Sequence, residues 1–448
     1  MKKYFPRLID DVLVAWSEEK KHKPLLLRGA RQVGKSSAVK HFAKRFDYFI
    51  EVNFERQPRL KEFFFGDLDV KLIASKLSAF YGIPVLSGKT LLFLDEIQMC
   101  KEAISCLRFF YEDFPELHVV AAGSLLEFAL NEIPTIGVGR IRSLFVYPMT
   151  FDEFLEATGN KGLIGEKKAS SPANPLMDVF HQKLVDLFRI YLMVGGMPES
   201  VSTWVESNDY AQCKQVQNDI IITYEDDFAK YNKKTDPTLL RLTLKGVAHQ
   251  IGEKLIYSRI SRDYRSAQIK EALELLRLAG LIIPVVHTAA NGLPFGAEAN
   301  DSYVKYLYLD SGLLLRILNM DMGDVSDLTQ QILIGGAVDL VNKGHLTEMV
   351  AGLELLRYQL PTQRHDIYFW MRTEKNSMAE VDYLIARKMK IIPIEIKAGV
   401  KGGMKSLFYF LRKKNLSTGI RSSLENFGEY SNADAYIEIY PLYALSNL

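Results

Sequence analysis

The sequence predicts an α/β protein built on a parallel sheet, and three observations carry that expectation. A short apolar run, Leu25–Leu27, leads into Gly29-Ala-Arg-Gln-Val-Gly-Lys-Ser36, which fits G-x-x-x-x-G-K-[ST]; helical periodicity then continues from Ala38 to Phe46. A second apolar run, Leu91–Leu94, ends in Asp95-Glu96, and a third, Val119–Ala122, ends in Gly123-Ser124. Strands buried on both faces of a parallel sheet are uniformly apolar. Ligands of open α/β sheets bind at the carboxyl ends of such strands, where all three runs become polar.

The strand–loop–helix context is what a phosphate-binding loop requires. Glycine permits the tight turn and positive φ, so successive backbone N–H groups converge on an anion. The following helix adds its N-terminal partial charge. The candidate nucleotide contacts are therefore Gly29, Ala30, Arg31, Gln32, Val33, Gly34, Lys35, Ser36 and Ser37. Lys35 is expected to reach the β- and γ-phosphates, and the Ser36 hydroxyl to bind Mg²⁺.

The chain has 448 residues, a length that suggests about three domains. Its 48% apolar and 25% charged residues are those of an ordinary globular protein. A formal net charge of +2 gives no whole-chain signal for a polyanion partner. Cys100, Cys106 and Cys213 are too few and too irregularly spaced for a disulfide framework or a zinc site. The expected setting is reducing and cytoplasmic. Met1–Arg7 is basic but lacks an apolar segment of the signal-peptide kind. No apolar run approaches the length of a membrane span.

Residues 8–20 read as an amphipathic helix, Tyr48–Phe54 as an alternating strand, and residues 58–80 as mostly helical with Asp67 and Asp69 in a turn. Thr90–Gln98 resembles a Walker B strand. Asp95 would hold Mg²⁺, and Glu96 would orient or deprotonate the attacking water; a solvated acidic turn is the plainer alternative. Ser124 suits a γ-phosphate sensor and equally an N-cap for Leu125–Leu130. Arg140, before the apolar strand Leu144–Tyr147, is a candidate arginine finger. A finger stabilises transition-state charge by about 10³–10⁵ in rate where it acts. A plain surface arginine competes with that role.

The blocks RGARQVGKSS, VNFE, LLFLDEIQ, AAGSLLEF, GVGRIRSLFVYPMTFDEFL and VGGMPESV together resemble a prokaryotic group of AAA-type ATPases with a C-terminal domain of unknown function numbered 4143. The resemblance covers nearly the whole chain, and LDEIQ and GGMPE are its most specific pieces. It implies a P-loop ATPase core of the additional-strand type over residues 1–157, with ATP and Mg²⁺ as cofactors. It also implies a helical lid and a nuclease-like C-terminal part. Ser36-Ser37 departs from the Thr-Thr of many members, with the same oxygen offered to Mg²⁺.

Residues 158–175 carry loop signals throughout and read as an insertion. Helices over Leu176–Leu192, Ser200–Ser207 and Asp209–Lys230, with a turn at Val194–Glu199, complete a lid over 158–234. Pro237–Leu278 reads as three helices, followed by an apolar strand, a loop at His287–Asn300 and a strand at Lys305–Leu309. That is a winged-helix pattern over 235–320. Its third helix carries Arg265, Lys270 and Arg277 for DNA, diluted by Glu271 and Glu274. Such folds also serve as protein–protein spacers.

The tail, 321–448, has a helix at 343–360 with Glu348, then strands Ile367–Met371, Glu380–Ile385 and Ile391–Lys397, with a turn at Thr373–Met378. Side chains alternate on a strand, so Glu380 shares a face with Asp382, and Glu395 with Lys397. A hairpin can bring the two pairs together. That set resembles the PD-(D/E)-x-K nuclease superfamily, whose fold is restriction-endonuclease-like. In it Asp382, Glu395 and the helical Glu348 would hold Mg²⁺ or Mn²⁺, and Lys397 would help to activate water. Charges that only pair with one another are the alternative. Between Ile385 and Arg421 ten basic residues stand against one acid, Glu395, which favours a phosphate backbone and makes DNA a candidate partner. Arg140 acting in trans would require a homo-oligomer. The runner-up function is a nucleotide-dependent switch or scaffold with slow turnover and an inactive C-terminal binding module.

Overall fold

The computed structural model describes residues 3–131, 139–231, 235–318, 343–372, 379–399 and 403–448. The turn expected at Thr373–Met378 and the basic residue Lys401 lie outside them. The chain divides into two compact units. One holds residues up to Pro148 with Leu278–Leu281 and Leu360–Arg364; the other holds Met149–Arg277, Ile282–Gln359 and His365–Leu448.

The first unit is built on β1 (Leu25–Arg28), β2 (Tyr48–Asn53), β3 (Thr90–Asp95), β4 (His118–Ala122) and β5 (Arg142–Phe145). Their order is β2-β3-β4-β1-β5, and every neighbouring pair is parallel. β4 lies between β1 and β3, the insertion that the additional-strand resemblance implies. The central strands owe their place to composition: every residue of β3 and β4 is buried. The edge strands β2 and β5 are only partly so. Helix Val70–Tyr81 begins on Asp69, whose carboxylate accepts from the N–H groups of Lys71 and Leu72, and ends on Gly82 at φ 63°. It packs Ile73 and Leu77 into one core with Leu107 and Phe110 of helix Lys101–Asp113 and with Val52, Leu92 and Val119 of the sheet.

At the amino edge of this sheet, His22 and His118 stack with ring centroids 4.0 Å apart, and the edge of Trp16 meets both. Each imidazole meets the backbone: His118 Nε2 lies 3.1 Å from the Ser17 carbonyl, and His22 Nε2 lies 3.3 Å from that of Leu117. Burial, and next the neighbouring His22, push the His118 imidazole down to about 4.

The second unit carries a mixed sheet of β6 (Ile282–Thr288), β7 (Ala299–Tyr308), β8 (Ile367–Met371), β9 (Glu380–Arg387), β10 (Lys390–Ile396), β11 (Thr418–Ser423), β12 (Gly428–Ser431) and β13 (Tyr436–Pro441). The order is β12-β13-β11-β10-β9-β8-β6-β7. Helices Pro237–Ala248, Tyr257–Ile260 and Ser266–Leu278 precede the β6–β7 hairpin, in the order that the sequence pattern suggests. The hairpin does not stand apart, however. β6 pairs with β8 in parallel, so residues assigned to separate domains on either side of 320 share one sheet. A two-stranded hairpin alone is marginal in water, and β8 satisfies its free edge.

Residues 158–175 are not the plain loop that their composition suggests. Lys161–Ala169 forms a helix despite Gly162 and Gly165. Its Lys167 is fully buried, paired with Asp152 and donating to the Ser446 hydroxyl at 2.7 Å. Tertiary burial of one charged side chain overrides the weak local propensity.

Because His118 is neutral in the folded chain below its ordinary value of 6.5, the unfolded chain binds the extra proton between pH 6.5 and about 4. Its contribution to stability is complete above pH 6.5 and is lost as the pH falls through that window. Buried carboxyls with raised values, such as Asp95 and Glu354, act with the opposite sign, so a paired comparison isolates the imidazole. Melting temperatures at pH 7.5 and pH 5 should fall further for the wild type than for His118→Gln. Equal drops would show that this imidazole does not set the acid sensitivity.

Candidate functional site

β1 delivers the chain to the carboxyl edge of the first sheet, where it turns sharply. Gly29 has φ 140°, and a Cβ there would lie 2.1 Å from the Val146 carbonyl oxygen. Gln32 and Gly34 also have positive φ, at 62° and 95°. Such alternation turns backbone N–H groups to one side and makes an anion-binding concavity. Helix Lys35–Phe42 follows at once. Ala30 and Val33 anchor the loop by burial, Arg31 is half-buried, and Gln32 and Ser37 are exposed. The Arg7 guanidinium, unforeseen in the sequence, braces the turn by donating to the Val33 carbonyl at 2.9 Å and the Tyr147 carbonyl at 2.8 Å.

Lys35 is 7% exposed, and its ammonium lies within the loop, donating to the carbonyls of Gly29 at 2.8 Å and Ala30 at 2.6 Å. Burial pushes it down to about 8. Phosphate oxygens would give it charge-assisted bonds, roughly twice as strong as those to neutral acceptors.

The next residue meets the end of β3. Ser36 Oγ donates to Asp95 Oδ1 at 3.0 Å, and Asn53 Nδ2, paired in register from β2, donates to Asp95 Oδ2 at 3.1 Å. Burial raises the Asp95 carboxyl. A hydroxyl and a carboxylate in contact at the loop mouth are the oxygen donors that Mg²⁺ selects. Glu96 turns out of the strand at φ 49°, and Ser124 Oγ and Gln98 Nε2 donate to its Oε2 at 3.0 and 2.6 Å. Gly123 makes room for Gln98: a Cβ there would lie 2.2 Å from the Gln98 amide oxygen. The clamp on Glu96 thus joins LDEIQ to AAGS. Gln98 was visible only as part of a motif, and Asn53 only as the polar end of an alternating strand.

Arg140 is placed differently. It lies two residues before β5, whose first residue, Arg142, pairs with Leu25 at the start of β1. Arg140 is therefore at the amino edge of the sheet, opposite the loop of its own chain, and it pairs with Glu112. The direction of a parallel strand puts its two ends on opposite edges, so Arg140 and the loop of its own chain lie at different edges of the sheet.

In the second unit, Ile394 of β10 pairs with Tyr383 of β9, which brings Glu395 opposite Asp382. Asp382 Oδ2 accepts from the Ile396 N–H at 2.7 Å, and Glu395 Oε1 accepts from Lys397 Nζ at 2.6 Å. Glu348 arrives from helix Lys343–Arg357, whose position Tyr383 fixes by donating to the Glu348 carbonyl at 2.7 Å. Oxygens of Glu348, Glu380 and Asp382 lie within 4.8 Å of one another. Glu380, noted for its shared face but not placed among the ligands, thus joins Glu348 and Asp382 in this group, and Glu395 lies beside it with its Oε1 on Lys397. Burial, above all, raises Glu348 to about 8 and Glu395 to about 7. Lys305 was not among the residues that the sequence pattern singled out for this centre. It reaches in from β7, donates to Glu348 Oε1 at 2.8 Å and pairs with Glu380.

Residues 21–155 match the model of the AAA domain. The chain carries an N-terminal AAA-type ATPase domain. Residues 185–324 match a domain of unknown function (DUF8612), which the sequence did not suggest and which runs across the expected boundary at 234. Residues 343–443 match a domain of unknown function (DUF4143), in line with the resemblance. Among solved structures, the chain is similar to the Walker-type ATPase PABY2304 of Pyrococcus abyssi, with 17% identity and a TM-score of 0.46 over 70% of this chain and 96% of that one. It is similar to the Orc1 protein of Aeropyrum pernix, solved in complex with DNA, with 14% identity and a TM-score of 0.29 over 70% and 90%. For Cdc6p of Pyrobaculum aerophilum the values are 11% and 0.25 over 72% and 98%. No curated protein matches. Among the described residues no helix is long and apolar enough to cross a membrane.

Two substitutions separate loop shape from loop charge. Gly29→Ala forces a Cβ against backbone at a strained φ, at a cost of about 1–3 kcal/mol or more. Lys35→Ala removes the ammonium and leaves φ free. Both should abolish binding of a fluorescent ATP analogue in equilibrium titrations, and only Gly29→Ala should also lower the melting temperature by several degrees. Unchanged affinity in Lys35→Ala would remove the nucleotide assignment.

Proposed function

We propose that this chain is a Mg²⁺-dependent ATPase whose nucleotide cycle controls a nuclease-like, DNA-binding C-terminal part. The observation that carries the proposal is the convergence of Lys35, Ser36, Asp95, Glu96 and Ser124 on the carboxyl edge of one parallel sheet. Gly29–Ser37 would cradle the phosphates of ATP. Ser36 and Asp95 would hold Mg²⁺, which would neutralise charge on the phosphates. Glu96, released from Ser124 and Gln98, would orient the attacking water, and Ser124 would then be free to sense the γ-phosphate. Arg140 could serve as a finger only toward a neighbouring copy in a homo-oligomer.

For the C-terminal part, Glu348, Glu380 and Asp382 supply the oxygen donors for Mg²⁺ or Mn²⁺, with Glu395 and Lys397 adjacent. A cleft lined by Arg372, Lys405, Arg412 and Tyr409 supports a nucleic-acid partner, since it combines cations for phosphate with a ring for stacking. The winged-helix reading rests on three helices and a hairpin. There Arg277 is engaged by Glu274 at 2.7 Å, which weakens the case for that helix as the DNA reader.

The second reading, a nucleotide-dependent switch with an inactive C-terminal module, is favoured by one observation: a lysine already sits among the carboxylates. Steady-state turnover and cleavage of single- and double-stranded DNA and RNA, with Mg²⁺ or Mn²⁺ and with or without ATP, decide between the two. The ATPase–nuclease reading expects cutting that Asp382→Ala/Lys397→Ala abolishes. Tight ATP binding with negligible turnover and no cutting on any substrate favours the switch. For the ATPase itself, Glu96→Gln should keep ATP affinity and lower turnover by about 10²–10⁴-fold. A variant that hydrolyses at the wild-type rate would exclude Glu96 as the base.

A further inference from the structure

We propose that the Lys305 ammonium is the resident cation of the C-terminal acidic centre, and that a divalent cation enters only by displacing it. The inference rests on the reading of that centre as a cation site. Lys305 is carried by β7, and its side chain is 3% exposed. It donates to Glu348 Oε1 at 2.8 Å and pairs with Glu380, two of the three carboxylates whose oxygens lie within 4.8 Å of one another. Its ammonium also lies 5.0 Å from the centre of the Phe369 ring, so one flank of the charge is apolar. Buried charges are tolerated when paired and costly when a partner is lost. Lysine here therefore does what a metal ion would do: it neutralises a buried carboxylate, Glu348, together with the half-buried Glu380.

A second observation concerns the carboxylate oxygens that the ammonium groups leave unengaged. Four carboxylates, Glu348, Glu380, Asp382 and Glu395, face two ammonium groups, Lys305 and Lys397. Glu395 is 6% exposed; Lys397 holds its Oε1 at 2.6 Å, while its buried Oε2 has no hydrogen-bond partner among the described residues. An unpartnered carboxylate oxygen is a vacant ligand position. Hard divalent cations take six or more oxygen ligands, against three donors on an ammonium. A metal ion could thus engage Glu348, Glu380 and Asp382 together, with Glu395 adjacent. Lysine has the advantage of covalent attachment, which sets a high local concentration and raises the metal concentration needed to replace it.

The test uses the full chain without nucleotide and Mn²⁺ as the probe. Lys305→Met keeps the length of the apolar stem and removes the charge. It should bind one Mn²⁺ at least about tenfold tighter than the wild type by calorimetry, and Lys305→Met/Asp382→Asn should lose that event. Without metal, Lys305→Met should melt below the wild type, and Mn²⁺ should close the gap, since a ligand of the folded state stabilises it by mass action. In the wild type, a lysine-acylating reagent followed by peptide mass spectrometry should find Lys305 protected without metal and labelled once Mn²⁺ is added. This second measurement does not depend on the variant folding. Equal Mn²⁺ affinity in wild type and Lys305→Met, or metal binding with Lys305 still protected, overturns the proposal and leaves the centre as a cation site. Mn²⁺ binding to neither protein overturns the underlying reading instead.

Discussion

The buried contact between Arg357 and Asp310 constrains the second unit more than any single packing face does. Their side chains are 2% and 0% exposed, and the ions lie 3.8 Å apart. Neither charge is left to the other alone. Arg357 donates to the Leu309 carbonyl and to the Tyr191 hydroxyl, both at 2.7 Å. Asp310 accepts from the Gly196 N–H at 2.6 Å and from Gly312 at 3.0 Å. These bonds, which leave only the Arg357 Nε without a partner among the described atoms of the pair, make its burial tolerable and fix the positions of the segments that contribute. The Gly-Gly turn is one of them. A Cβ on Gly196 would lie 2.2 Å from the Met149 carbonyl oxygen, and one on Gly195 would meet the Asp310 carboxylate. The most specific motif of this region is therefore the lining of a charge site, which explains why it tolerates only glycine.

The same strand that ends beside Asp310 carries Lys305. β7 thus has one buried charge in the acidic centre, and the residues just past its end join the Arg357 network. A hairpin with these two attachments cannot belong to an independent module. The hairpin and the strands that follow share one sheet, and the matched family model over 185–324 likewise spans segments that composition alone would divide.

In the first unit the organising fact is the common direction of the strands. Four strands end at one edge, and the polar residues at or after their ends meet there although they are far apart in the chain: Ser36 with Asp95, Asn53 with Asp95, Glu96 with Ser124. The opposite edge receives what parallel geometry sends there, the His22–His118 stack and Arg140. Direction alone divides the candidates into those that gather at the carboxyl edge and one at the amino edge.

What the sequence determined by itself was local. The glycines and lysine of the first loop, the apolar strands ending in acids, and the alternation of Glu380 with Asp382 and of Glu395 with Lys397 are set by neighbours a few residues apart, where backbone period and side-chain chemistry suffice. Tertiary structure decided the rest. Lys305 meets Glu348 and Glu380 across 43 and 75 residues, from a hairpin whose pattern says nothing of its destination. Helix Lys161–Ala169 forms around a lysine whose partners lie as far away as Ser446. In both places a charge is buried, and its stability depends on which groups the fold brings to it, a property that no local pattern encodes.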